Sequence, residues 1–160
     1  MRLLIAAVGR LKDDEERGIC ERYAKRLAVT GRPVSFGPLE ILELVESRAV
    51  SVDARRADEA QRLLKASDAA TLKIALDAKG RHYDSDVFAK LLGKHADSGV
   101  KTCVFLIGGP DGHGDDVLNA ANFKLSLGAM TLPHGLARVV LIEQLYRAAT
   151  ILTGHPYHRA

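Results

Sequence analysis

Short apolar runs alternate along the chain with segments in which apolar residues recur every three or four positions. The runs are typical of buried strands in a parallel sheet, and the recurring pattern is typical of helices that bury one face. We predict strands at residues 2–8, 72–76, 100–107 and 123–127, and helices at residues 13–27, 53–66, 85–95 and 115–121 and after Pro133. This alternation predicts an α/β fold with a mainly parallel sheet flanked by helices, in a single domain spanning residues 1–160.

Polar residues and glycines mark the expected ends of these elements. Gly31 is expected to end the first helix, Asp53 to cap the second, and Asp84 or Ser85 to cap the third. The residues after Leu76 are expected to form a turn that ends the strand.

The region between the first two helices has a weaker pattern. Residues 33–36 are predicted to form a second strand, and residues 38–52 fit either a helix or an irregular crossover.

The composition is 47% hydrophobic and 27% charged, which excludes a disordered or fibrous chain. Cys20 and Cys103 lie far apart without the spacing of a metal site, so we interpret both as reduced thiols, with Cys103 in the core. No apolar run is long enough to cross a bilayer. We therefore expect a cytoplasmic protein with no membrane partner and no metal.

The excess positive charge is concentrated near the carboxyl terminus. From Val117 onward four basic residues face the single acidic residue Glu143, which accounts for the whole formal net charge of +3. The four basic residues are Lys124, Arg138, Arg147 and Arg159. A local excess of this kind is compatible with a nucleic-acid partner without requiring one.

A glycine-rich segment at residues 108–114 directly follows the apolar strand at residues 100–107. Ligands bind at the carboxyl ends of strands in open α/β sheets, which makes this segment a candidate ligand loop. A tight turn that simply needs glycine is the competing interpretation. The signatures of a phosphate loop and of a dinucleotide-binding turn are both missing from the sequence.

Small residues follow the next predicted strand. Gly128 and Ala129 would let the flat face of a ligand approach the backbone, and Met130 could pack against its ring. Thr131 is expected to cap the following helix, with Pro133 in its first turn. A plain strand-to-helix turn would explain the same residues.

Arg138 lies on the apolar face of the last helix, which it shares with His134 one turn earlier. An arginine there is costly unless its charge is paired, so it extends to water, forms an ion pair at a subunit interface, or meets an anionic ligand. Glu143 and Arg147 are spaced as a helical ion pair, which we interpret as a solvated surface pair.

The sequence ends with two histidines, a tyrosine and an arginine within residues 155–159. We discount a zinc site because a third ligand is missing. Arg159 and His158 could contact phosphate while Tyr157 stacks on a base, as in nucleic-acid binding. A frayed basic terminus is the competing interpretation.

Four ordered segments together resemble one protein family. They are IGGPDG at residues 107–112, LSLGAMTLPH at residues 125–134, RV and EQLYRA within residues 138–148, and PYHR at residues 156–159. The family is that of the large-subunit ribosomal RNA pseudouridine N3-methyltransferases, of the SPOUT class of trefoil-knotted methyltransferases. The resemblance covers nearly the whole chain, and it departs from the family mainly at residues 39–57, where the family is richer in lysine.

The resemblance implies a carboxyl-terminal trefoil knot that binds S-adenosylmethionine through backbone groups. The matching cofactor positions are Leu76, Gly108, Leu127, Gly128, Ala129, Met130, Thr131 and Leu132. It also implies a homodimer in which the tail of one subunit completes the site of the other, and 23S ribosomal RNA as the substrate.

Direct transfer of a methyl group to the N3 atom of pseudouridine requires positioning and loss of a proton. The resemblance makes His158, with Arg159 or Arg138 beside it, the catalytic candidates. Tyr157, His158, Arg159 and His134 are the candidate substrate contacts. A non-catalytic ribosome-binding or assembly protein and a small-molecule enzyme on an α/β sheet remain alternatives.

Overall fold

A computed structural model describes residues 1–158 of the chain. Its strands are β1 (Arg2–Val8), β2 (Leu39–Leu44), β3 (Leu72–His82), β4 (Thr102–Ile107) and β5 (Phe123–Ser126). All pair in parallel, in one sheet of order β2-β1-β4-β3-β5. The predicted α/β fold with a parallel sheet is confirmed.

Five α-helices cover the two faces of the sheet. They are α1 (Asp14–Thr30), α2 (Val52–Ala66), α3 (Ser85–Asp97), α4 (Asp115–Ala120) and α5 (His134–Thr153). One core cluster joins Leu3 and Ile5 of β1 to α1, α3 and α5, whereas Ala6 and Val8 point to the opposite face and pack with α2 and α4. Because β1 is buried on both faces, its sequence is a continuous apolar run rather than an alternating one.

Several predicted boundaries are confirmed by the backbone hydrogen bonds. The Asp84 carboxylate accepts a hydrogen bond from the Val87 N–H and caps α3, as one of the two expected alternatives. Gly31 ends α1, and its N–H donates to the Leu27 carbonyl. Cys20 and Cys103 are both free and buried, as the sequence indicated.

The prediction of a strand at residues 33–36 is wrong, because a short 3-10 helix occupies Arg32–Val34. The second strand is β2 instead, inside the segment that fitted a helix or a crossover. It is an edge strand that pairs only with β1, and Glu40, Ile41 and Leu42 are all exposed. An edge strand with so little burial lacks the apolar run that identified the inner strands.

Two predicted helix caps are also wrong. Ser51 caps α2, because its hydroxyl accepts a hydrogen bond from the Ala54 N–H, and Asp53 lies in the first turn. Helix α5 begins after Pro133 without a side-chain cap, so Thr131 does not cap it. Pro133 already presets the backbone at that end of the helix.

Strand β3 does not end at Leu76, as the sequence predicted, but continues to His82. Leu76 and Arg81 of β3 both pair with Leu125 of β5. Residues 77–80 therefore form an arch that leaves the sheet and returns to it. A Cβ atom on Gly80 would lie 2.8 Å from backbone atoms of residues 124 and 125. This close passage of backbone segments is consistent with the expected trefoil knot.

Candidate active site

A pocket of about 850 Å³ opens at the carboxyl ends of β4 and β5 and beside the arch in β3. Its walls come mainly from the arch at residues 77–80, the glycine turn at residues 108–112 and the segment at residues 127–134. Leucine side chains and backbone make up much of this wall. A volume of this size suits an organic ligand of cofactor dimensions.

The pocket brings together most of the residues for which the sequence predicted cofactor contacts. Leu76, Gly108, Leu127, Gly128, Met130, Thr131 and Leu132 all line it. Ala129 is not among its lining residues, although both of its neighbours in the sequence are. His134, a predicted substrate contact, lines the same pocket.

Sequence reasoning missed the contributions of the arch and of α2. Asp77, Ala78 and Lys79 line the pocket because the irregular pairing of β3 turns them toward it. Arg56 reaches it from α2, more than fifty residues before the glycine turn. The sequence favours a simple turn at Asp77-Ala78-Lys79-Gly80. It contains no local pattern that would indicate that the strand resumes after these residues.

The glycine turn folds back on itself so closely that glycine is required at two of its positions. A Cβ atom on Gly108 would lie 2.9 Å from the Gly112 carbonyl carbon and 3.1 Å from the His113 nitrogen. Gly112 has a φ of +81°, which other residues rarely adopt. At Gly108 and Gly112 the turn therefore presents backbone, and no side chain, to the pocket.

His113 lies behind the glycine turn and lines the pocket. Its Nε2 atom is 3.1 Å from the Leu106 carbonyl oxygen, so we assign the proton to Nε2. Burial lowers the pKa of His113 below its ordinary value, which favours the neutral ring. The ring thus ties the turn to the end of β4 without adding a positive charge to the pocket.

Arg55 and Arg56 of α2 hold the glycine turn from the outside. The Arg55 Nε donates to Asp111 Oδ2 at 2.6 Å, and the Arg56 Nε donates to the Asp111 carbonyl oxygen at 2.7 Å. The hydrogen bond from Arg55 holds the pKa of Asp111 below its ordinary value. Asp111 is therefore an ionised anchor for the turn at neutral pH.

Arg138 is fully buried and forms its ion pair within the subunit. Its Nη1 donates to Glu43 Oε1 at 2.5 Å, and its Nη2 donates to the Gly9 carbonyl oxygen at 3.0 Å. Glu43 Oε1 also accepts from the Leu11 N–H at 2.9 Å. None of the three alternatives considered for Arg138 describes this arrangement, because its partner is a carboxylate of the same chain on β2.

The tail is docked up to residue 158, which contradicts a frayed terminus over those residues. The Tyr157 ring packs on Tyr146 with centroids 4.7 Å apart, and its hydroxyl donates to Glu143 Oε1 at 2.9 Å. Burial, with the hydrogen bonds to Tyr23 and Glu143, raises the pKa of Tyr157 above its ordinary value. Glu143 also pairs with Arg147 at 2.7 Å, and their side chains are only 17% and 27% exposed, so this is not the solvated pair predicted.

His158 lies beside the first turn of α3. Its Nε2 is 3.4 Å from Asp86 Oδ2, and its Nδ1 is buried without a hydrogen-bond partner among residues 1–158. Arg159, predicted as a catalytic and substrate-binding residue, lies outside the described residues.

Within one chain, the tail and the pocket are separate. The lining residues of the pocket end at Ala137, whereas Tyr157 contacts residues 143, 146 and 147, which lie further along α5. Neither Tyr157 nor His158 lines the pocket. Among residues 1–158, Tyr157 and His158 therefore do not meet the predicted cofactor positions in a single subunit, whereas His134 does.

Among residues 1–158, no group of three or more histidine, cysteine or acidic side chains is placed to hold a metal ion. Over the same residues, none of the helices has the length and apolar character needed to cross a membrane.

The parallel sheet, the arch in β3 and a glycine-lined pocket at the edge of the sheet define an α/β protein with a site for an organic ligand. The family described as predicted SPOUT methyltransferase matches residues 1–158. The chain belongs to this SPOUT methyltransferase family.

Curated relatives match along their full length. Proteins named ribosomal RNA large subunit methyltransferase H are 46% identical in Rhodopseudomonas palustris (strain BisA53) and 43% identical in Brucella anthropi, each over 160 residues and 100% of both chains.

Solved structures share the fold at low sequence identity. A probable methylase family protein from Haemophilus influenzae aligns with a TM-score of 0.54 at 13% identity, over 99% of this chain and 70% of that chain. A putative methylase family protein from Neisseria gonorrhoeae aligns with a TM-score of 0.51 at 14% identity, over 91% and 80% of the two chains.

Proposed function

We propose that this chain is an S-adenosylmethionine-dependent methyltransferase that methylates N3 of a pseudouridine in 23S ribosomal RNA. The observation that carries the proposal is the pocket, in which seven of the eight predicted cofactor positions converge. The full-length relatives named as large-subunit ribosomal RNA methyltransferases support the substrate class. With 23S ribosomal RNA, in the ribosome or in the large subunit, as the proposed substrate, we propose that the protein acts in the cytoplasm.

The residues present fit the cofactor. Its adenine ring suits a wall of leucine side chains, and the backbone of the glycine turn offers N–H and carbonyl groups that no Cβ atom obstructs at Gly108 and Gly112. The Asp77 carboxylate, also on the wall, could pair with the ammonium group of the methionine moiety. When bound, S-adenosylmethionine supplies an electrophilic methyl group.

The remaining chemistry is removal of the proton from N3 of the base. We propose His158 as the group that accepts it. The Asp86 carboxylate, 3.4 Å from the Nε2 atom of His158, would orient the imidazole ring. Arg159 would stabilise the developing negative charge, and Tyr157 and His134 would position the base.

Because of its ion pair with Glu43, we propose a positioning role for Arg138 in place of the catalytic role expected from the sequence. It cannot reach the substrate while it is fully buried against Glu43 and Gly9, so we propose that it positions His134 one turn earlier on α5. A Cβ atom on Gly9 would lie 3.1 Å from the His134 Nε2, which puts His134 against the loop that Arg138 holds.

We further propose that the protein acts as a homodimer. The tail and pocket lie apart in one subunit, and a second copy could bring its tail to the pocket of the first. This arrangement would make each active site a product of both chains.

Methyl transfer from labelled S-adenosylmethionine to ribosomes that lack the modification tests the proposal. We expect label in 23S ribosomal RNA, at N3 of one pseudouridine when the modified nucleotide is mapped. Failure to bind S-adenosylhomocysteine would instead favour a non-catalytic ribosome-binding protein. Transfer to a small molecule without RNA would favour the other alternative, a small-molecule enzyme.

A further inference from the structure

Helix α2 lies between the glycine turn and the loop at residues 45–51, and Arg55 bonds to both. Its Nε and Nη2 donate to the two carboxylate oxygens of Asp111 at 2.6 and 3.3 Å. Its Nη1 donates to the carbonyl oxygens of Ala49 and Val50, each at 3.2 Å. One planar guanidinium group therefore connects two segments that are about sixty residues apart in sequence.

Glu59, one helical turn after Arg55, also lies between the loop and the glycine turn. Its Oε1 accepts from the Ser47 N–H at 2.8 Å. Its Oε2 is buried, has no hydrogen-bond partner among residues 1–158, and would lie 2.8 Å from a Cβ atom on Gly109. The side chain is thus wedged between the loop and the glycine turn, and glycine at position 109 leaves the space it needs.

No residue of the loop at residues 45–51 lines the pocket. Two of its apolar residues are exposed to solvent: Val45 is 51% exposed and Val50 is 100% exposed. The α2 side chains account for four of its hydrogen bonds, from Arg55, Glu59 and Arg62. The conformation of this loop therefore depends on α2.

We propose that Arg55 and Glu59 are positioning residues that couple the loop at residues 45–51 to the cofactor pocket. Ordering the glycine turn fixes Asp111 and hence the Arg55 guanidinium, which in turn holds the carbonyl groups of Ala49 and Val50. Coupling is reciprocal, so any contact that holds the carbonyl groups of Ala49 and Val50 against Arg55 also favours the cofactor-binding form of the turn. This inference rests on the proposed function, because it takes the turn to be a cofactor-binding element.

Amide hydrogen exchange of the unliganded protein tests the coupling without the cofactor. Among residues 1–158 the Asp111 carboxylate hydrogen-bonds to Arg55 and not to the loop. We nevertheless expect Asp111→Ala to speed exchange in residues 45–51 roughly threefold to fivefold, because Arg55 loses its anchor. Arg55→Ala should speed exchange in both segments, and Arg55→Lys should restore only part, since an ammonium group cannot bond to both segments with the same planar geometry.

Arg62→Ala is the matched control. Arg62 also lies on α2 and donates to the loop, at the Val45 carbonyl oxygen, but its other partner is Asp58 on the same helix. We expect this variant to speed exchange in the loop and leave residues 108–112 unchanged. Unchanged loop exchange in Asp111→Ala would overturn the coupling, whatever the cofactor result.

Titration with S-adenosylhomocysteine completes the test. We expect slower exchange in residues 108–112 and also in residues 45–51, and we expect Arg55→Ala to abolish the second effect and to weaken affinity severalfold in calorimetry. Protection of residues 108–112 alone in the natural protein would overturn the coupling and leave the cofactor site standing. Protection of neither segment would contradict the cofactor site, while the exchange of Asp111→Ala still decides the coupling.

Discussion

Glycine is needed in the pocket wall where a side chain would collide with neighbouring backbone atoms. Gly108 faces the carbonyl carbon of Gly112 and the nitrogen of His113, and both are backbone atoms that cannot move as a flexible side chain could. Gly18 lies inside α1, and a Cβ atom there would meet nothing within 4 Å apart from the adjacent backbone of its own helix. The two positions therefore predict opposite responses to a larger residue.

We expect Gly108→Val to weaken the binding of S-adenosylhomocysteine by about tenfold or more, or about 1.4 kcal/mol, because the glycine turn must open to admit the side chain. Calorimetric titration measures this, and thermal unfolding checks that the variant is folded. Gly18→Ala should keep its affinity and gain up to about 1 kcal/mol of stability, since alanine is preferred in a helix. Unaltered affinity in Gly108→Val would contradict the placement of the cofactor.

Arg138 shows how far the sequence could lead at the level of a single residue. Helical periodicity placed it correctly on the buried face of α5. Its partner could not be inferred, because Glu43 is 95 residues away on a strand that the sequence did not identify. Asp111 and Arg55 present the same difficulty, since the pairing depends on α2 crossing near the glycine turn.

Three elements meet at the buried ion pair between Arg138 and Glu43. Glu43 lies on β2, Arg138 lies on α5, and both bond to the backbone of the loop after β1, at Leu11 and Gly9. Burial acts to raise the pKa of Glu43, but the Leu11 N–H and the Arg138 guanidinium together hold it below its ordinary value of 4.5. Glu43 therefore stabilises the fold only in its ionised form.

The pH dependence of this contribution follows from the lowered pKa. The folded state binds the proton less readily than the unfolded state, so the stabilisation is complete above the ordinary value of 4.5 and is lost as the pH falls through the folded value. We expect Glu43→Gln to flatten the decline in the free energy of unfolding between about pH 5 and pH 3. Urea unfolding at fixed protein concentration measures it.

Glu40→Gln is the control on the same strand. Glu40 pairs with Arg2 at the surface, where both side chains are more than half exposed, so its removal should leave the acid decline in place. An identical decline in the natural protein and in Glu43→Gln would show that this ion pair does not contribute to acid sensitivity.

The sequence predicted elements well where burial is deep and less well where it is not. Strands β1 and β4 and helices α1 and α3 carry continuous or periodic apolar patterns, and they lie close to where they were predicted. The edge strand β2 and the carboxyl-terminal part of β3 are held by pairing to strands that are distant in sequence. Such pairing produces little pattern in the local sequence.

At the scale of the whole molecule, the notable fact is that the pocket and the tail lie apart. The motif resemblance identified both groups of residues, but only the structure shows that Tyr157 and His158 lie away from the pocket of their own subunit. If the tail acts on the pocket of a second subunit, two variants with different defects should complement each other.

We expect Gly108→Val and His158→Ala each to lower methyl transfer sharply, through the pocket and the tail respectively. Co-assembled in equal amounts, they should recover about a quarter of the natural activity, because half of the dimers are mixed and one of the two sites in each is intact. Methyl transfer to ribosomes, measured before and after subunit exchange, gives the comparison.

A tail that serves the pocket of its own chain would give the other result. Each site of a mixed dimer would then carry one defect, and co-assembly would recover nothing. His158→Ala should keep its affinity for S-adenosylhomocysteine throughout, which separates its defect from that of Gly108→Val. Full activity in His158→Ala alone would remove this residue from the mechanism.

The arch at residues 77–80 has a consequence for how sequences of this kind can diverge. Both of its ends pair with Leu125, and Gly80 touches the backbone beside that residue. An insertion would push the pocket wall outward, and a deletion could not span the gap, so we expect this arch to keep its length. The loop at residues 45–51, which is anchored at its carbonyl groups and open to solvent, should tolerate changes of length far more readily.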